Sequence, residues 1–542
     1  MIRGKREGGS GKRGEAVRGK WESSRAHLSS RAPILSSRAP ILSSRAQRGI
    51  CTSLLLAAAT VSAQGRPTAK PDLAAFDRYV AQAAKDWHTN GLAIAIVSND
   101  SLVFAKGYGK LDAHKPDLVN EHTRFAIGST TKAMTSAALA MLVDDGKLHF
   151  DDRVIDILPD FRLYDPYATR ETTVRDLLTH RTGLPGTDLM WARDPFTMAE
   201  MIHRLRYVKP TTSFRSTMEY QNVTYAIGGA IVEKVSGMPW DAFIRKRIFE
   251  PLGMTESEPL VSGIIGKPNV ASPHAPSGDT GIVVPYRSTD AIAPAGSVYS
   301  SVFDMSKWMR FILDSGRVGT KRLISPASFT ELVTPQIRAP MALYPALTLS
   351  RPHAFSYGLG WFIQDYQGEV VWMHTGSIDG MCAIIGLLPD RRTGVYVLEN
   401  TDHIELRHAL MYKVFDLFMG NPARDWSKDL FALEHQTTLA SQLRASEGAR
   451  VPAPPSLALE KYAAAYVDSA YGTIDVKFSN GSLTARFRDK DLGALAPVSR
   501  DTFRTQGGRD RDALSVSFVT DGAGNVIAAR AFGITFERTR AR

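Results

Sequence analysis

The stretch Phe125-Ala126-Ile127-Gly128-Ser129-Thr130-Thr131-Lys132 runs directly into the apolar segment Ala133 to Val143. This pattern predicts a nucleophilic serine at the first turn of a buried helix, with a lysine one turn later. Residues three apart share a helix face, so the Lys132 ammonium can reach the Ser129 hydroxyl. A lysine at its usual pKa of about 10.4 is a poor base at neutral pH, and burial would lower that pKa. Alone, a Ser-x-x-Lys match also fits a capped helix with a surface lysine, so the interpretation depends on partners elsewhere.

Two further patterns supply candidate partners. Tyr220-Gln221-Asn222 precedes the helical run Val223 to Val235, where a tyrosine and an asparagine two apart can point into one cleft. The alternative is a tyrosine packed on the core and an asparagine capping the helix. The run Val370 to Ser377 predicts a strand that contains His374-Thr375-Gly376, in which Gly376 lets a substrate backbone lie close. The alternative there is a strand histidine followed by a turn.

Composition and charge narrow the function classes. The chain has 542 residues and is 44% hydrophobic, enough for a large core and more than one domain. Of the formal net charge of +11, residues 1–50 carry +9, which leaves +2 for everything after them. A nearly neutral folded part gives no electrostatic case for nucleic-acid binding. Cys382 is the sole cysteine beyond residue 63, and its apolar neighbours predict a buried hydrophobic side chain rather than a nucleophile.

Residues 1–63 are predicted to be a disordered leader that ends in a signal peptide. A repeated Ser-Ser-Arg-Ala with few large apolar residues cannot form a packed core. Arg48-Gly49 then precedes an apolar run from Ile50 to Ala59 and the small-residue end Val61-Ser62-Ala63, which predicts cleavage after Ala63. This run is too short to span a bilayer. We therefore expect an exported bacterial protein, periplasmic or extracellular, with no stable membrane span after signal cleavage.

The rest of the chain is predicted to form a hydrolase domain at 66–425, a linker at 426–456 and a small β domain at 457–542. A helix at Asp72 to Trp87 followed by two strands suggests an antiparallel sheet that backs a mostly helical region. A Pro- and Ala-rich run at Val451 to Pro455 indicates the linker, and alternation around the turn Asn480-Gly481 indicates hairpins beyond it. Further amphipathic helices are expected at Thr172 to His180, Trp240 to Phe249 and Val302 to Leu313.

The ordered set of Ser-x-x-Lys, Tyr-x-Asn and His-Thr-Gly resembles the serine β-lactamase and penicillin-binding-protein superfamily. It is most similar to the branch with class C β-lactamases, D-alanyl-D-alanine carboxypeptidases and related esterases. Further similar segments are Thr173 to His180, Pro294 to Gly296 and Tyr357 to Trp361. The resemblance implies an α/β (α+β) fold with an antiparallel sheet flanked by helices and a helical lobe, followed by a small antiparallel β domain.

The resemblance also implies roles for the first two motifs. Ser129 would be the acylated nucleophile and Lys132 a proton acceptor. Tyr220 would be a partner base that relays a proton to the leaving group, its phenolate favoured by the nearby lysine. Asn222 would hydrogen-bond Lys132 and the substrate amide.

The third motif would bind substrate. His374, Thr375 and Gly376 would form the strand against which substrate lies, and the backbone N–H groups of Ser129 and Ser377 would form the oxyanion hole. This sequence departs from the family pattern at one position. The third motif usually begins with lysine, and here it begins with His374. Histidine is mostly neutral at pH 7, which lowers the expectation of carboxylate recognition and of efficient β-lactamase activity.

These observations predict an exported serine hydrolase that cleaves an ester or amide bond through a Ser129 acyl-enzyme, with D-amino-acid peptides among the candidate substrates. A true β-lactamase is one alternative, and a non-catalytic penicillin-binding-like module that only binds ligands is another. No metal or organic cofactor is implied. The expected partner is a small-molecule or peptide substrate, and the oligomeric state is open.

Overall fold

The computed structural model describes residues 71–276, 281–402, 404–421, 423–447, 453–506 and 514–539. The predicted leader and signal peptide lie outside these residues. No helix in the described ranges is long and apolar enough to cross a membrane. The α-helices are α1 Leu73–Asp86, α2 Thr131–Asp144, α3 Val154–Ile157, α4 Pro166–Glu171, α5 Val174–Leu178, α6 Met198–Arg204, α7 Asn222–Ser236, α8 Trp240–Ile244, α9 Glu250–Leu252, α10 Ala293–Gly296, α11 Val302–Leu313, α12 Pro326–Val333, α13 Leu347–Ser350, α14 Leu406–Met419 and α15 Trp426–Glu447.

An eight-stranded antiparallel sheet forms the centre of the first domain, with neighbours in the order β2-β1-β8-β7-β6-β5-β4-β3. Its strands are β1 Gly91–Ser98, β2 Ser101–Gly109, β3 Ile337–Arg338, β4 Phe355–Tyr357, β5 Phe362–Tyr366, β6 Glu369–Ile378, β7 Met381–Leu388 and β8 Thr393–Glu399. Two-residue strands pair separately as Phe125–Ala126 with Tyr299–Ser300, His274–Ala275 with Ile282–Val283, and Arg317–Val318 with Lys321–Arg322.

Helices cover both faces of this sheet. A side chain at Gly386 would meet Met411 of α14, whereas one at Gly394 would meet Met309 of α11. Gly386 pairs across the sheet with Val395, the neighbour of Gly394, and successive strand residues point to opposite faces. The two helices therefore lie on opposite faces. This explains why every residue of β7 and β8 is buried.

Helix α2 is the centre of the helical side of the domain. Every residue from Thr131 to Leu142 is buried, so this helix has no solvent-facing stripe. It packs among α7, α10 and α12. A helix buried on all sides needs apolar residues all round, and the Ala- and Met-rich sequence supplies them.

The C-terminal region closes into an eight-stranded antiparallel barrel. Alternating side chains fill its interior, where Phe518 lies 5.0 to 5.5 Å, between ring centroids, from Tyr462, Tyr466 and Phe503. Closure removes the exposed edges that an open sheet would leave. Its strands are β9 Ala464–Asp468, β10 Gly472–Ser479, β11 Ser482–Phe487, β12 Lys490–Ser499, β13 Thr502–Gln506, β14 Ser515–Thr520, β15 Val526–Ala531 and β16 Ile534–Arg538.

Two expected elements differ in the structure. The helix expected at Thr172 to His180 is only α5, because Thr173 caps it through a reciprocal bond with Asp176. The expected linker at 426–456 begins with α15 instead. Trp426 at its start stacks on Tyr412, with ring centroids 4.6 Å apart, and is buried. The polar composition of this segment did not predict a helix. The helix is stabilised by contacts with residues elsewhere in the chain, such as Tyr412 of α14.

Candidate active site

Ser129 lies in a single 3-10 turn, Gly128–Thr130, that leads directly into α2. Lys132 is the second residue of α2 and is fully buried. The expectation of a serine at the start of a buried helix with a lysine one turn on agrees with this placement. The tighter turn differs from the expected α-helical first turn.

The Lys132 ammonium has three hydrogen-bond acceptors. Its Nζ donates to Asn222 Oδ1 at 2.8 Å, to the carbonyl oxygen of Ala295 at 2.9 Å and to Ser129 Oγ at 3.0 Å. The first two can only accept, so they hold two N–H groups in either protonation state. When Lys132 is neutral, its lone pair is therefore left facing the Ser129 hydroxyl, which is the geometry of a general base.

Burial also changes the pKa of Lys132. Removal of the ammonium from water lowers its pKa to about 7, while the Asp188 carboxylate opposes this shift. A lysine at this pKa is substantially neutral at physiological pH. The burial of α2 thus converts an ordinarily poor base into a competent one.

Tyr220 lies beside both groups. Lys132 Nζ is 4.8 Å from the centre of its ring, and Ser129 hydrogen-bonds its side chain. Burial raises the pKa of Tyr220 well above its ordinary value, and the Ser129 bond only partly opposes this. The expected phenolate is therefore not favoured, because desolvation outweighs the nearby lysine. A protonated Tyr220 is a hydrogen-bond donor and a proton relay.

Strand β6 forms one edge of the site. The pairing of β5 with β6 ends at Phe362 and Met373, while β7 continues to pair through Ile378. The segment after Met373 thus has one edge unpaired by β5 where an extended substrate can add. Gly376 is required at this place, because a Cβ there would lie 1.9 Å from the Ile127 carbonyl oxygen and 3.1 Å from Ser129 N.

His374 is neutral and both of its ring nitrogens are occupied. Its Nδ1 lies 2.6 Å from the Thr375 carbonyl oxygen, which can only accept, so Nδ1 carries the hydrogen. Its Nε2 then accepts from the Tyr357 hydroxyl at 3.0 Å. Burial and the charge of Lys132 lower the pKa of His374 to about 3. The imidazole therefore offers no cation and no free N–H to a substrate.

The opposite face of β6 carries a buried arginine that the sequence patterns did not identify. Arg407 Nη1 donates to the Gly376 carbonyl oxygen and to Ser377 Oγ, each at 2.8 Å. Thr375 is held on the same face by a 2.8 Å hydrogen bond with the Tyr344 hydroxyl. Position 374 points to one face of β6 and positions 375 and 377 to the other, so Arg407 lies on the face that carries Thr375 and Ser377.

Two other contributing residues escaped sequence reasoning. Ala295 acts through its backbone, although its Pro-Ala-Gly segment was a recognisable signal. Asp188 lies on a loop of irregular sequence, and its Oδ1 accepts from Asn222 Nδ2 at 3.0 Å. Nothing in the local pattern around Asp188 marked it, because its role arises from a contact with a residue 34 positions away.

The sheet, the helical lobe and the Ser-Lys-Tyr arrangement define the class of β-lactamase and penicillin-binding-protein folds. A family model described as Beta-lactamase matches residues 76–415, so the chain belongs to this family. The predicted superfamily and fold are thereby confirmed. A second model, described as a domain of unknown function (DUF3471), matches residues 449–540.

The chain is also similar to named proteins and to a solved structure. The chain is 29% identical to the unguisins hydrolase ungD of Aspergillus violaceofuscus over 436 residues, 74% of this chain and 76% of that protein. It is 25% identical to protein flp of Staphylococcus aureus (strain NCTC 8325 / PS 47) over 322 residues, 58% of this chain and 60% of flp. The octameric penicillin-binding protein homologue from Pyrococcus abyssi has the same fold, with a TM-score of 0.56 and 22% identity over 86% of this chain and 99% of its own. The family match and the relative named as a hydrolase support an activity of the serine hydrolase type.

Proposed function

We propose that this protein is an active hydrolase that cleaves an ester or amide bond through a Ser129 acyl-enzyme. The observation that carries the proposal is the contact set of Lys132. Its two fixed acceptors leave the third Nζ position facing Ser129 Oγ at 3.0 Å. A binding-only module has no need of a buried lysine tuned in this way.

The proton balance of the reaction follows from these contacts. Ser129 Oγ forms a bond to the substrate carbonyl carbon as its proton passes to the Lys132 lone pair. The carbonyl oxygen becomes an oxyanion, for which the backbone N–H groups of Ser129 and Ser377 are the proposed donors. Collapse breaks the bond to the leaving group, which takes a proton from the Tyr220 hydroxyl as Lys132 resupplies it. Water then repeats the sequence on the acyl-enzyme.

The neutral His374 favours substrates without a carboxylate next to the reacting bond. Both of its ring nitrogens are engaged by protein groups. Arg407 contacts the opposite face of β6 and is buried there. We therefore propose esters and neutral amides, including D-amino-acid amides, as better substrates than β-lactams. The relative named as an unguisins hydrolase supports turnover over binding alone.

The test is turnover and intact mass of residues 64–542 with a p-nitrophenyl ester, a D-alanyl p-nitroanilide and benzylpenicillin. We expect ester cleavage and an acyl adduct, both absent in Ser129→Ala and retained in Ser101→Ala, a matched exposed serine. Fast consumption of penicillin would instead favour a β-lactamase. A permanent adduct without turnover would indicate a ligand-binding module, and the absence of both Ser129-dependent turnover and an adduct with every compound would refute the proposal.

Export is a separate proposal that rests on the sequence before residue 64. The charged flank, short apolar run and Val61-Ser62-Ala63 end are typical of a signal peptide. Expression of the full chain in a bacterial host, followed by N-terminal sequencing, should give Gln64 as the first residue. An intact leader on the cytoplasmic protein would contradict it.

A further inference from the structure

The loop of residues 187–196 connects the active site to the barrel. On its inner side, Asp188 Oδ1 accepts hydrogen bonds from Asn222 Nδ2 at 3.0 Å and from Trp191 Nε1 at 2.8 Å. Thr187 donates to Gln221 Oε1 at 2.8 Å. The loop therefore touches the residues that surround Lys132, although it belongs to no strand or long helix.

The outer side of the same loop lies against the barrel. Arg488, directly after β11, donates from Nη2 to the Leu189 carbonyl oxygen at 3.1 Å. Its guanidinium lies 4.1 Å from the centre of the Phe196 ring, and its Nε is 3.8 Å from the Asp194 carboxylate. Arg204 of α6 also lies over Phe196, at 4.0 Å, and donates to the Ser469 carbonyl oxygen of the barrel at 3.0 Å.

Burial of the Arg488 guanidinium at this place costs folding free energy. Its side chain is 8% exposed, and within the described residues its Nε and Nη1 have no hydrogen-bond partner. A buried cation with unsatisfied donors destabilises a fold unless other contacts compensate. The compensating contacts of Arg488 are with the loop and the aromatic rings, so its position is explained by what it does to the loop.

We propose that the barrel is a positioning part of the active site, in which Arg488 holds the 187–196 loop so that Asp188 stays against Asn222. This inference rests on the proposed function. The Asn222 amide donates to Asp188 with Nδ2 and accepts from Lys132 with Oδ1. The Asp188 acceptor therefore sets which end of the amide faces Lys132, because a flipped amide would present N–H groups to the lysine.

Asp188 also contributes charge at the lysine. The other titratable groups that face Lys132 are Tyr220 before α7, Tyr225 of α7, His180 after α5, and His374 of β6. Burial raises the pKa of both tyrosines and lowers the pKa of both histidines, so all four are neutral at pH 7. Asp188 is then the charged group of this set, and it raises the pKa of Lys132.

The test compares Asp188→Asn, Arg488→Ala and their double variant in kcat/KM and in its pH profile. Asp188→Asn keeps an acceptor and removes the charge, so the acidic limb should move to lower pH by about half a unit or more. Arg488→Ala should lower kcat/KM by about 3- to 30-fold and move the limb in the same direction. In the double variant the limb should lie no lower than in Asp188→Asn, because the charge that Arg488 positions is already gone. A limb that moves further in the double variant, or an unmoved limb in Arg488→Ala, would overturn the proposal.

Hydrogen exchange provides a measurement that needs no activity. Arg488→Ala should lose protection in residues 187–196 while the barrel strands keep theirs, and Asp194→Asn should do the same from the other side of the contact. The matched control is Arg486→Ala, a 56% exposed arginine whose partner Asp489 lies in the barrel. Unchanged protection of the loop in both test variants would refute the proposal. If wild type shows no Ser129-dependent turnover, the proposed function fails, and the exchange result still decides this one.

Discussion

The described residues form two eight-stranded antiparallel structures, an open sheet and a closed barrel, which differ in the side chains that they bury. The open sheet is covered by helices on both faces, and ionisable side chains such as Lys132, His374 and Arg407 are buried around it. The barrel closes on itself around aromatic rings, and the buried polar residues within its described strands are the uncharged Ser499 and Thr502. Its buried cation, Arg488, lies in a turn outside that core, against the 187–196 loop. Desolvation by covering helices therefore creates the chemistry, whereas strand pairing alone does not.

The variant Lys132→Ala tests whether a buried ionisable group is what gives the sheet region its activity. Lys132→Ala should lower kcat/KM for an ester by about 10³- to 10⁴-fold, because the general base is lost. The matched control is Lys490→Ala on an exposed barrel position, which should leave the rate unchanged. Circular dichroism should show that both variants are folded. A loss of less than about tenfold in Lys132→Ala would show that another group is the base.

Removal of the buried Arg407 charge should lower the stability of the fold strongly. Arg407→Met should lower the free energy of unfolding by about 3–5 kcal/mol, because it leaves the buried Glu405 carboxylate without this partner. Urea unfolding followed by tryptophan fluorescence reports the sheet region, since all eight tryptophans precede residue 457.

Arg486→Met on the barrel surface is the control for this measurement, and it should change stability by less than about 0.5 kcal/mol. Equal unfolding midpoints for Arg407→Met and wild type would mean that the arginine contributes nothing net.

The pH profile of kcat/KM reports the protonation state of Lys132. The neutral form of Lys132 is the active one, and its pKa is about 7. We therefore expect kcat/KM to be constant above this pH and to fall about tenfold per unit below it. His374, with a pKa of about 3, should add no step between pH 5 and 9. An acidic limb centred near pH 4, typical of a carboxylate, would contradict the assignment of Lys132 as base.

A substitution in the barrel core should affect stability only mildly. Phe518→Leu should cost about 1 kcal/mol of stability, because a smaller side chain packs less completely against Tyr462, Tyr466 and Phe503. Its kcat/KM should equal that of wild type, since the Arg488 contacts remain. Thermal unfolding and ester turnover measure both. A large loss of activity would show that the whole barrel core, and not one arginine contact, is coupled to the cleft.

Much of the fold was predictable because its signals are local. Helix α11 spans Val302–Leu313 as expected, and α7 begins one residue earlier than predicted and ends one later. Periodicity and end residues encode such elements within about a dozen positions. The closure of the barrel was not predictable in this way, because Tyr466 pairs with Arg538 across the whole domain. Likewise α15 is anchored through Trp426, whose stacking partner lies in α14.

The sequence by itself determined the family, the antiparallel and helical classes of the two domains, and the candidate residues Ser129, Lys132, Tyr220 and Asn222. Tertiary structure decided their protonation. It buried Lys132 enough to bring its pKa to about 7, kept Tyr220 a phenol and made His374 neutral. It also brought Asp188 to Asn222, and Arg488 to the loop that carries Asp188. The reason is that desolvation and charge depend on what surrounds a group in three dimensions, whereas a motif records only neighbours along the chain.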